Sequence, residues 1–235
     1  MVSSKPLFLG LRPYVASRSD RSECLAYGTF VSMQTGNTIF IGLGGSTGHT
    51  TNKPYGWAKS LISVGCFVLG SFFFSRFHRL LTPLRRSTLI ASFLLQTIVI
   101  VITAALIQAE VIDGTLATIP SDIDWRQALP IALLSFQSAG QIVASRALSL
   151  SEIPSVVITS VLCDLVSDPQ LLAGVPSNVK RNRRMLAFFG ILAGAVAGGW
   201  LTSKTGKIQG ALWVAGGLKA VVTAAWSAWP KKSSH

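Results

Sequence analysis

Two short segments place hydrogen-bonding side chains inside apolar stretches of the chain. The first, residues 34–38, lies within residues 24–52, which contain no Asp, Glu, Lys or Arg; the second follows Pro154. A proline removes one helical hydrogen bond, and hydrocarbon cannot satisfy exposed peptide groups, so such segments are expected to face protein or a water-filled cavity. Paired interrupted helices are typical of a solute site at mid-depth, and helix–helix hydrogen bonding is the alternative. The candidate solute-binding residues of the two segments are Gln34, Thr35, Gly36, Asn37, Thr159, Ser160 and Asp164.

Two further candidates are a lysine and a glutamine in apolar surroundings. Lys219 lies near the middle of the last apolar segment, where a charge costs several kcal/mol unless it is paired or hydrated. We expect it to approach Asp164, with Asp20 a distant second, or to face the same polar cavity as Asp164. Gln137 and Gln141 are one helical turn apart and would line a polar path or bridge helices. An interfacial position or a structural ion pair is the alternative for Asp164.

Composition places these residues in a membrane protein. Of the 235 residues, 49% are hydrophobic and 13% are charged, about half the charged share of a soluble domain. The net charge of +12 comes from basic residues between apolar segments, which favours a role in membrane topology over nucleic-acid binding. The three cysteines and three histidines show no metal or disulfide spacing, so no metal, cofactor or catalytic site is predicted.

Six apolar segments are long enough to cross a bilayer as helices. They lie at about 25–46, 57–75, 87–108, 127–148, 185–203 and 210–229, with a short apolar piece at 153–166. The loops with Arg76 to Arg86 and Lys180 to Arg184 are the most basic, so both are expected to be cytoplasmic. The acidic stretch from Glu110 to Arg126 is then outside, and both termini are inside.

A comparison of the chain with itself indicates an internal repeat. An offset of 124 aligns Gly70 with Gly194 and Thr35 with Thr159. The charges at the ends of the segments run in opposite directions in the two halves, which predicts inverted repeats of three crossings each. Residues 25–229 would form one transmembrane domain, with repeats at about 25–108 and 127–229. Chance similarity between Gly- and Ala-rich helices is the alternative.

The two ends of the chain differ from this domain. Residues 1–24 form a polar N-terminal region, and residues 230–235 a basic tail. By the repeat, residues 7–24 correspond to the helix at 131–148, yet Arg12 to Cys24 is too polar to insert. We therefore expect a divergent first element that is displaced from the membrane or poorly ordered. A glycine stripe, Gly190, Gly194 and Gly198, predicts close helix packing rather than a phosphate loop.

The Thr-Gly-Asn segment within Thr29–Leu43 resembles the YoaK-like family of multi-pass membrane proteins with a domain of unknown function, particularly its fungal members. Ser135-Phe136-Gln137-Ser138-Ala139 is similar to that family's Gln-containing helix, and residues 152–165 are similar to its Pro-Thr-Val-Val segment. The resemblance covers about residues 25–229. It implies a six-helix fold and a small-molecule permease. The family's Gly-x-x-Asp helix has no clear match here, although Asp20 occupies the approximate position of its Asp.

The sequence thus predicts an all-α polytopic membrane bundle that is not an enzyme. Its predicted function is to carry a small solute by alternating access between the two repeats. A non-transporting scaffold or assembly protein is the alternative, and an intramembrane enzyme is a weaker one. The expected partners are the lipid bilayer and a small-molecule solute, with no nucleic acid and no cofactor. A homo-oligomer is left open.

Overall fold

The computed structural model describes residues 28–47, 56–82, 85–112, 114, 125–148, 158–172, 174 and 177–228. Within these residues the chain forms seven α-helices and one short 3₁₀ helix, Trp125–Gln127. The α-helices are α1 Gln34–Thr47, α2 Gly56–Leu80, α3 Arg86–Gln108, α4 Ala128–Ala147, α5 Ile158–Val166, α6 Val179–Thr205 and α7 Gln209–Ala228. Residues 7–24, Asp20 and Pro154, on which several predictions fall, lie outside the described residues.

Five helical segments are long and apolar enough to cross a membrane. They are α2, α3, the 3₁₀ helix with α4, α6 and α7. The expected crossing at 25–46 is shorter than predicted, since α1 has 14 residues and spans about 21 Å, less than a bilayer core of about 30 Å. The described residues therefore contain five candidate spanning helices, against the six crossings that the sequence predicts, and these five fit an integral membrane protein.

The helix bounds correct two sequence predictions. Residues 28–33 are not helical, so the first described helix begins at Gln34 rather than near residue 25. The second basic segment, expected to be a loop, forms the first turns of α6, where the Asn178 side chain accepts a hydrogen bond from the Arg181 N–H and so starts the helix. Gly206 ends α6 in the left-handed conformation at φ +65°.

Helix α4 is the most buried spanning segment. Its main neighbours are α2 and α3; α3 also packs against α7, α1 against α2, and α5 against α6. Arg86 at the start of α3 donates through Nε to the Trp226 carbonyl oxygen at 2.8 Å, and through Nη2 to that of Ser227. A cation at the C-terminal end of α7 is favourable because unsatisfied carbonyls give that end negative charge.

Two clusters of buried apolar side chains lie at different levels of the bundle. The first, here called the upper core, includes Ile100, Ala104, Leu134 and Leu212 from α3, α4 and α7. The second, the lower core, is formed by Leu89, Phe93 and Ala144, with Leu148 and Trp226 packed against it. The same three helices thus contribute to both clusters, which leaves a layer between them.

Candidate functional site

Asn37 is the centre of a buried hydrogen-bonded cluster at the start of α1. Its Oδ1 accepts from Thr29 Oγ1 at 2.8 Å and from the Phe30 N–H at 3.0 Å. Its Nδ2 lies 2.6 Å from the Phe30 carbonyl oxygen, 2.8 Å from Gln34 Oε1 and 3.0 Å from Ser63 Oγ. Asn37 therefore satisfies peptide groups that the non-helical residues 28–33 would otherwise leave without partners inside the membrane.

Serines from two other helices complete this cluster. Ser63 Oγ on α2 donates to the Phe30 carbonyl oxygen at 2.7 Å and lies 2.8 Å from Ser135 Oγ on α4. Ser138 Oγ donates to the Val31 carbonyl oxygen at 2.9 Å. Together these contacts join α1, α2 and α4 through neutral hydrogen bonds. The asparagine cluster consists of Thr29, Gln34, Asn37, Ser60, Ser63, Ser135 and Ser138.

Gly36 allows the Phe30 ring to pack directly against the first turn of α1. A Cβ at this position would lie 2.8 Å from Cε2 of Phe30, closer than such atoms pack. The adjacent residues Thr35 and Thr38 are exposed, and Thr38 Oγ1 bonds to the Gln34 carbonyl oxygen within its own helix at 2.9 Å. The Thr-Gly-Asn segment therefore presents one buried polar side chain, Asn37, and an outer face that takes no part in the cluster.

Lys219 lies in the interior between α4 and α7. Its side chain is buried, with 3% of the residue's surface exposed, and Nζ donates to Gln137 Oε1 at 2.7 Å and to Gln141 Oε1 at 3.4 Å. The two glutamines are one turn apart on α4, as the sequence predicted, so both amide oxygens face the same ammonium. Both of these acceptors are neutral amide oxygens, and the two bonds fix the direction of the Lys219 side chain.

A third glutamine lies at the same level on α3. Gln96 is fully buried, and its Nε2 is 2.9 Å from the position that a Cβ on Gly140 would take, between Gln137 and Gln141 on α4. Its Nε2 donates to Ser92 Oγ at 3.2 Å, whereas its Oε1 has no hydrogen-bond partner among the described residues. If the oxygen and nitrogen of the Gln96 amide were assigned the other way round, the nitrogen would be the atom without a partner, so one amide atom lacks a partner in either assignment.

These four side chains form a polar layer at mid-depth, consisting of Gln96, Gln137, Gln141 and Lys219. In α3, Gln96 falls between Phe93 of the lower core and Ile100 of the upper core. It is ten residues from the first residue of α3, or about 15 Å along the helix, half the thickness of a bilayer core. Polar side chains at this depth need protein or water as partners.

Asp164 belongs to a different cluster near the basic end of the bundle. One of its carboxylate oxygens lies 3.5 Å from Nη2 of Arg184, and its side chain is 50% exposed. Nη1 of Arg184 is 3.6 Å from Asp168, which also accepts from the Asn178 side chain at 3.0 Å. The expected approach of Lys219 to Asp164 is therefore wrong: the lysine bonds to glutamines on α4, and the carboxylate faces an arginine on α6.

The electrostatics of the aspartate–arginine cluster (Asp164, Asp168, Asn178, Arg181 and Arg184) favour the ionised form of Asp168. The Gln170 N–H and the Asn178 side chain hold the pKa of Asp168 below its ordinary value, and the charges of Arg184 and Arg181 lower it further. Arg181 itself is buried and donates from Nη1 to the Leu171 carbonyl oxygen at 2.6 Å. This cluster thus fixes the segment between α5 and α6.

The structure brings the predicted site residues into three places rather than one. Gln34 and Asn37 lie in the asparagine cluster, Gln137 and Lys219 in the polar layer, and Asp164 in the aspartate–arginine cluster. Thr159 and Ser160 are exposed on α5, whose main packing partner is α6. Gly194 and Gly198 of the predicted packing stripe are buried on one face of α6.

Several residues of these clusters were not singled out from the sequence. Ser60 and Ser63 on α2, and Ser135 and Ser138 on α4, each form a pair three positions apart within an apolar helix. Such a pair puts two hydroxyls on one helical face, which is a usable signal for a polar helix contact. Gln96 had a comparable signal, since it is the one amide side chain in the middle of the uncharged stretch 87–107.

Comparison with known protein families identifies the chain. A family model described as "Protein of unknown function (DUF1275)" matches residues 20–225. The chain belongs to the DUF1275 family. The match includes all seven α-helices except the last three residues of α7, and therefore all three clusters. No curated protein and no solved structure matches the chain.

Proposed function

We propose that this DUF1275 protein is a small-molecule permease that works by alternating access, with its solute site in the polar layer. The observation that carries the proposal is a buried ammonium with three amide side chains at mid-depth, between two apolar cores. Ionisable groups inside a membrane are costly and are retained mainly along solute or ion pathways. Neither a catalytic role nor a cofactor is part of this proposal.

The helix positions support the internal repeat on which this proposal is built. Helices α1, α2 and α3 begin at Gln34, Gly56 and Arg86, and α5, α6 and α7 begin 124, 123 and 123 positions later. The equivalent pairs α1–α2 and α5–α6 both pack together, and the equivalent helices α3 and α7 pack against each other. We propose six crossings in two inverted units, in which one unit rocks against the other.

The orientation is part of the same proposal. The basic residues Arg76, Arg79, Arg85 and Arg86 lie where α2 ends and α3 begins, and α6 begins with a second basic run. Lys and Arg are enriched on the cytoplasmic side of membrane proteins, so these ends and both termini are assigned to the cytoplasm. We also propose, from the sequence resemblance, that the chain is a YoaK-like member of the family and is most similar to the fungal members.

Water access to the polar layer tests the permease. In a variant whose native cysteines Cys24, Cys66 and Cys163 are replaced by serine, we would introduce Gln141→Cys and label it with a membrane-impermeant maleimide in proteoliposomes. A permease predicts labelling, because its solute site opens to water in one state. Ala139→Cys is the matched control, since Ala139 is fully buried at nearly the same depth of the same helix. Equal, negligible labelling at both positions would contradict the proposal.

A scaffold is the second candidate, and the asparagine cluster favours it. Both amide atoms of Asn37 are engaged in hydrogen bonds within the described residues, so this cluster offers a solute no vacant group there. A protein held only by such contacts would have a dry interior. The labelling experiment separates the two candidates, since a scaffold predicts no difference between Gln141→Cys and Ala139→Cys.

A further inference from the structure

The two basic segments of the chain differ in how their charges are balanced. In the second, which opens α6, arginine side chains contact the carboxylates and the carbonyl oxygens of the aspartate–arginine cluster. In the first, Arg76, Arg79 and Arg85 are exposed, and none of the ion pairs among the described residues includes them. These three side chains, here called the arginine patch, therefore carry positive charge that the described part of the chain does not compensate.

Helix α2 and the turn after it bring the arginine patch together. Arg76 and Arg79 are three positions apart on α2, so their side chains lie on one face of that helix. Thr88 Oγ1, in the first turn of α3, donates to the Leu81 carbonyl oxygen at 2.6 Å. This bond ties the start of α3, where Arg85 is the N-cap residue, to the end of α2.

The arginine patch lies at the level of the lipid headgroups. Arg76 is twenty residues from Gly56, the first residue of α2, or about 30 Å along the helix, which is the thickness of a bilayer core. Its guanidinium lies over the Phe72 ring, with Cζ 5.2 Å from the ring centroid. The Phe72 ring is itself 63% exposed, and Leu69 on the preceding turn is exposed as well. Charged groups and an apolar face that suits acyl chains thus adjoin each other on α2.

We propose that the arginine patch binds the phosphate group of an anionic phospholipid, whose acyl chains lie along the exposed apolar face of α2. A guanidinium can donate two parallel hydrogen bonds to phosphate oxygens, and basic clusters beside spanning helices attract anionic lipids. A soluble phosphate compound offers the same oxygens but nothing that covers Leu69 and Phe72, so the apolar face selects the lipid. This proposal does not depend on solute transport, and it adds a lipid partner to the basic end of the bundle.

Native mass spectrometry of the purified full chain in detergent tests the proposal. The probes are phosphatidylglycerol and phosphatidylcholine of different mass, added in equal amounts. We expect the first bound lipid to be mainly phosphatidylglycerol. Arg76→Gln and Arg79→Gln should each lower the ratio of bound phosphatidylglycerol to phosphatidylcholine about fivefold, because one basic residue beside an anionic lipid surface contributes about 1 kcal/mol.

Two controls make the test specific to the patch. Arg183→Gln removes the same charge from the second basic segment, where carboxylates are close by, and should leave the ratio nearly unchanged. Arg76→Lys keeps the charge and should retain most of the preference for phosphatidylglycerol. Because Arg76 and Arg79 are exposed, their variants should unfold at the wild-type temperature in lipid-free detergent, which shows that any loss of binding is not a loss of folding.

Three results would overturn the proposal. The first is a wild-type chain that binds the two lipids equally. The second is an equal reduction in Arg76→Gln and Arg183→Gln, since the net charge of the chain would then explain the preference. The third is displacement of the bound phosphatidylglycerol by an equal concentration of glycerol 3-phosphate, which would assign the patch to a soluble phosphate compound. None of these results depends on maleimide labelling of Gln141→Cys, so the lipid site and the permease fail or stand separately.

Discussion

The helix pairs α1–α2 and α5–α6 begin at positions 124 and 123 residues apart, yet they are held together by different interactions. In the first pair, Asn37 and Ser63 form neutral hydrogen bonds in the interior. The residues 124 positions later are Val161 and Ala187, both buried and apolar, so these positions of the second pair form no such hydrogen bond in the part of the chain that the structure describes. The second pair is joined instead by Arg184, which contacts Asp164 and Asp168 near the basic end.

This difference indicates which pair opens more easily. Hydrogen bonds inside a low-dielectric region are strong, and breaking them leaves buried groups without partners. Ionic contacts with an exposed partner compete with water and contribute little. We therefore expect α1 and α2 to stay together as one rigid pair, and α5 to separate from α6 at lower cost. The predictions below test this contrast in order of expected effect.

The largest effect is expected for Asn37→Ala. The change leaves the part-buried Phe30 N–H without its acceptor and removes one of the two donors to the Phe30 carbonyl oxygen. We expect the free energy of unfolding to fall by about 3 kcal/mol, as buried unsatisfied groups cost about 1–3 kcal/mol each. Unfolding in mixed micelles by increasing dodecyl sulfate would measure it. Thr38→Ala, on the exposed face of the same helix, should change stability by less than about 0.5 kcal/mol. Equal losses would remove the distinction between the two faces.

A smaller loss is expected for Ser63→Ala, about 1–2 kcal/mol, because the Phe30 carbonyl oxygen keeps its bond from Asn37. The double variant with Asn37→Ala should be non-additive, since the two side chains share partners. Ala187→Ser places the same hydroxyl at the equivalent position of α6. With no cluster there, its hydroxyl bonds only to its own helix, and we expect a change below about 1 kcal/mol. Additive losses would show that the asparagine cluster is not a cooperative unit.

The contrast between the pairs explains what the sequence could and could not predict. Long uncharged stretches such as 87–108 and 127–148 locate spanning helices, because the bilayer requires about 20 apolar residues in each. The start of α1 at Gln34 depends on serines of α2 and α4, whose hydroxyls bond to the Phe30 and Val31 carbonyl oxygens. The spacing of residues within one segment does not show which other helices supply such partners. The neighbours of Lys219 likewise depend on which helix faces α7, so pairing by charge alone selected Asp164 instead of Gln137.

A weak and salt-dependent effect is expected for Arg184→Gln. The Asp164 side chain is 50% exposed, so its contact with Arg184 is screened by solvent, and the second contact, to the less exposed Asp168, is long at 3.6 Å; we expect the two together to contribute about 1 kcal/mol. The loss should shrink in 1 M salt, where the screening length is about 3 Å. Arg183→Gln removes the same charge one position earlier and is the control, measured by the same unfolding assay at low and high salt. A loss as large as that of Asn37→Ala, unaffected by salt, would show that the second pair is as firmly joined as the first.

The smallest effect is expected from the titration of Asp168, and it should be confined to the segment between α5 and α6. The Gln170 N–H, the Asn178 side chain and the charges of Arg184 and Arg181 hold the pKa of Asp168 below its ordinary value of 3.8. A depressed carboxyl pKa stabilises the fold fully above that ordinary value, and the contribution is lost as the pH falls through the lower, folded-state pKa. Between pH 7 and 5, therefore, hydrogen exchange of the Leu171 and Ser177 amides, corrected for its intrinsic pH dependence, should show constant protection. Below about pH 4 this protection should fall, while that of α1 should not, because the asparagine cluster contains no titratable group.

Asp168→Asn is the control and should abolish the pH dependence, since an amide keeps its acceptor oxygen for the Gln170 N–H and does not ionise. A parallel loss of protection in α1 over the same pH range would show that the two helix pairs do not respond independently.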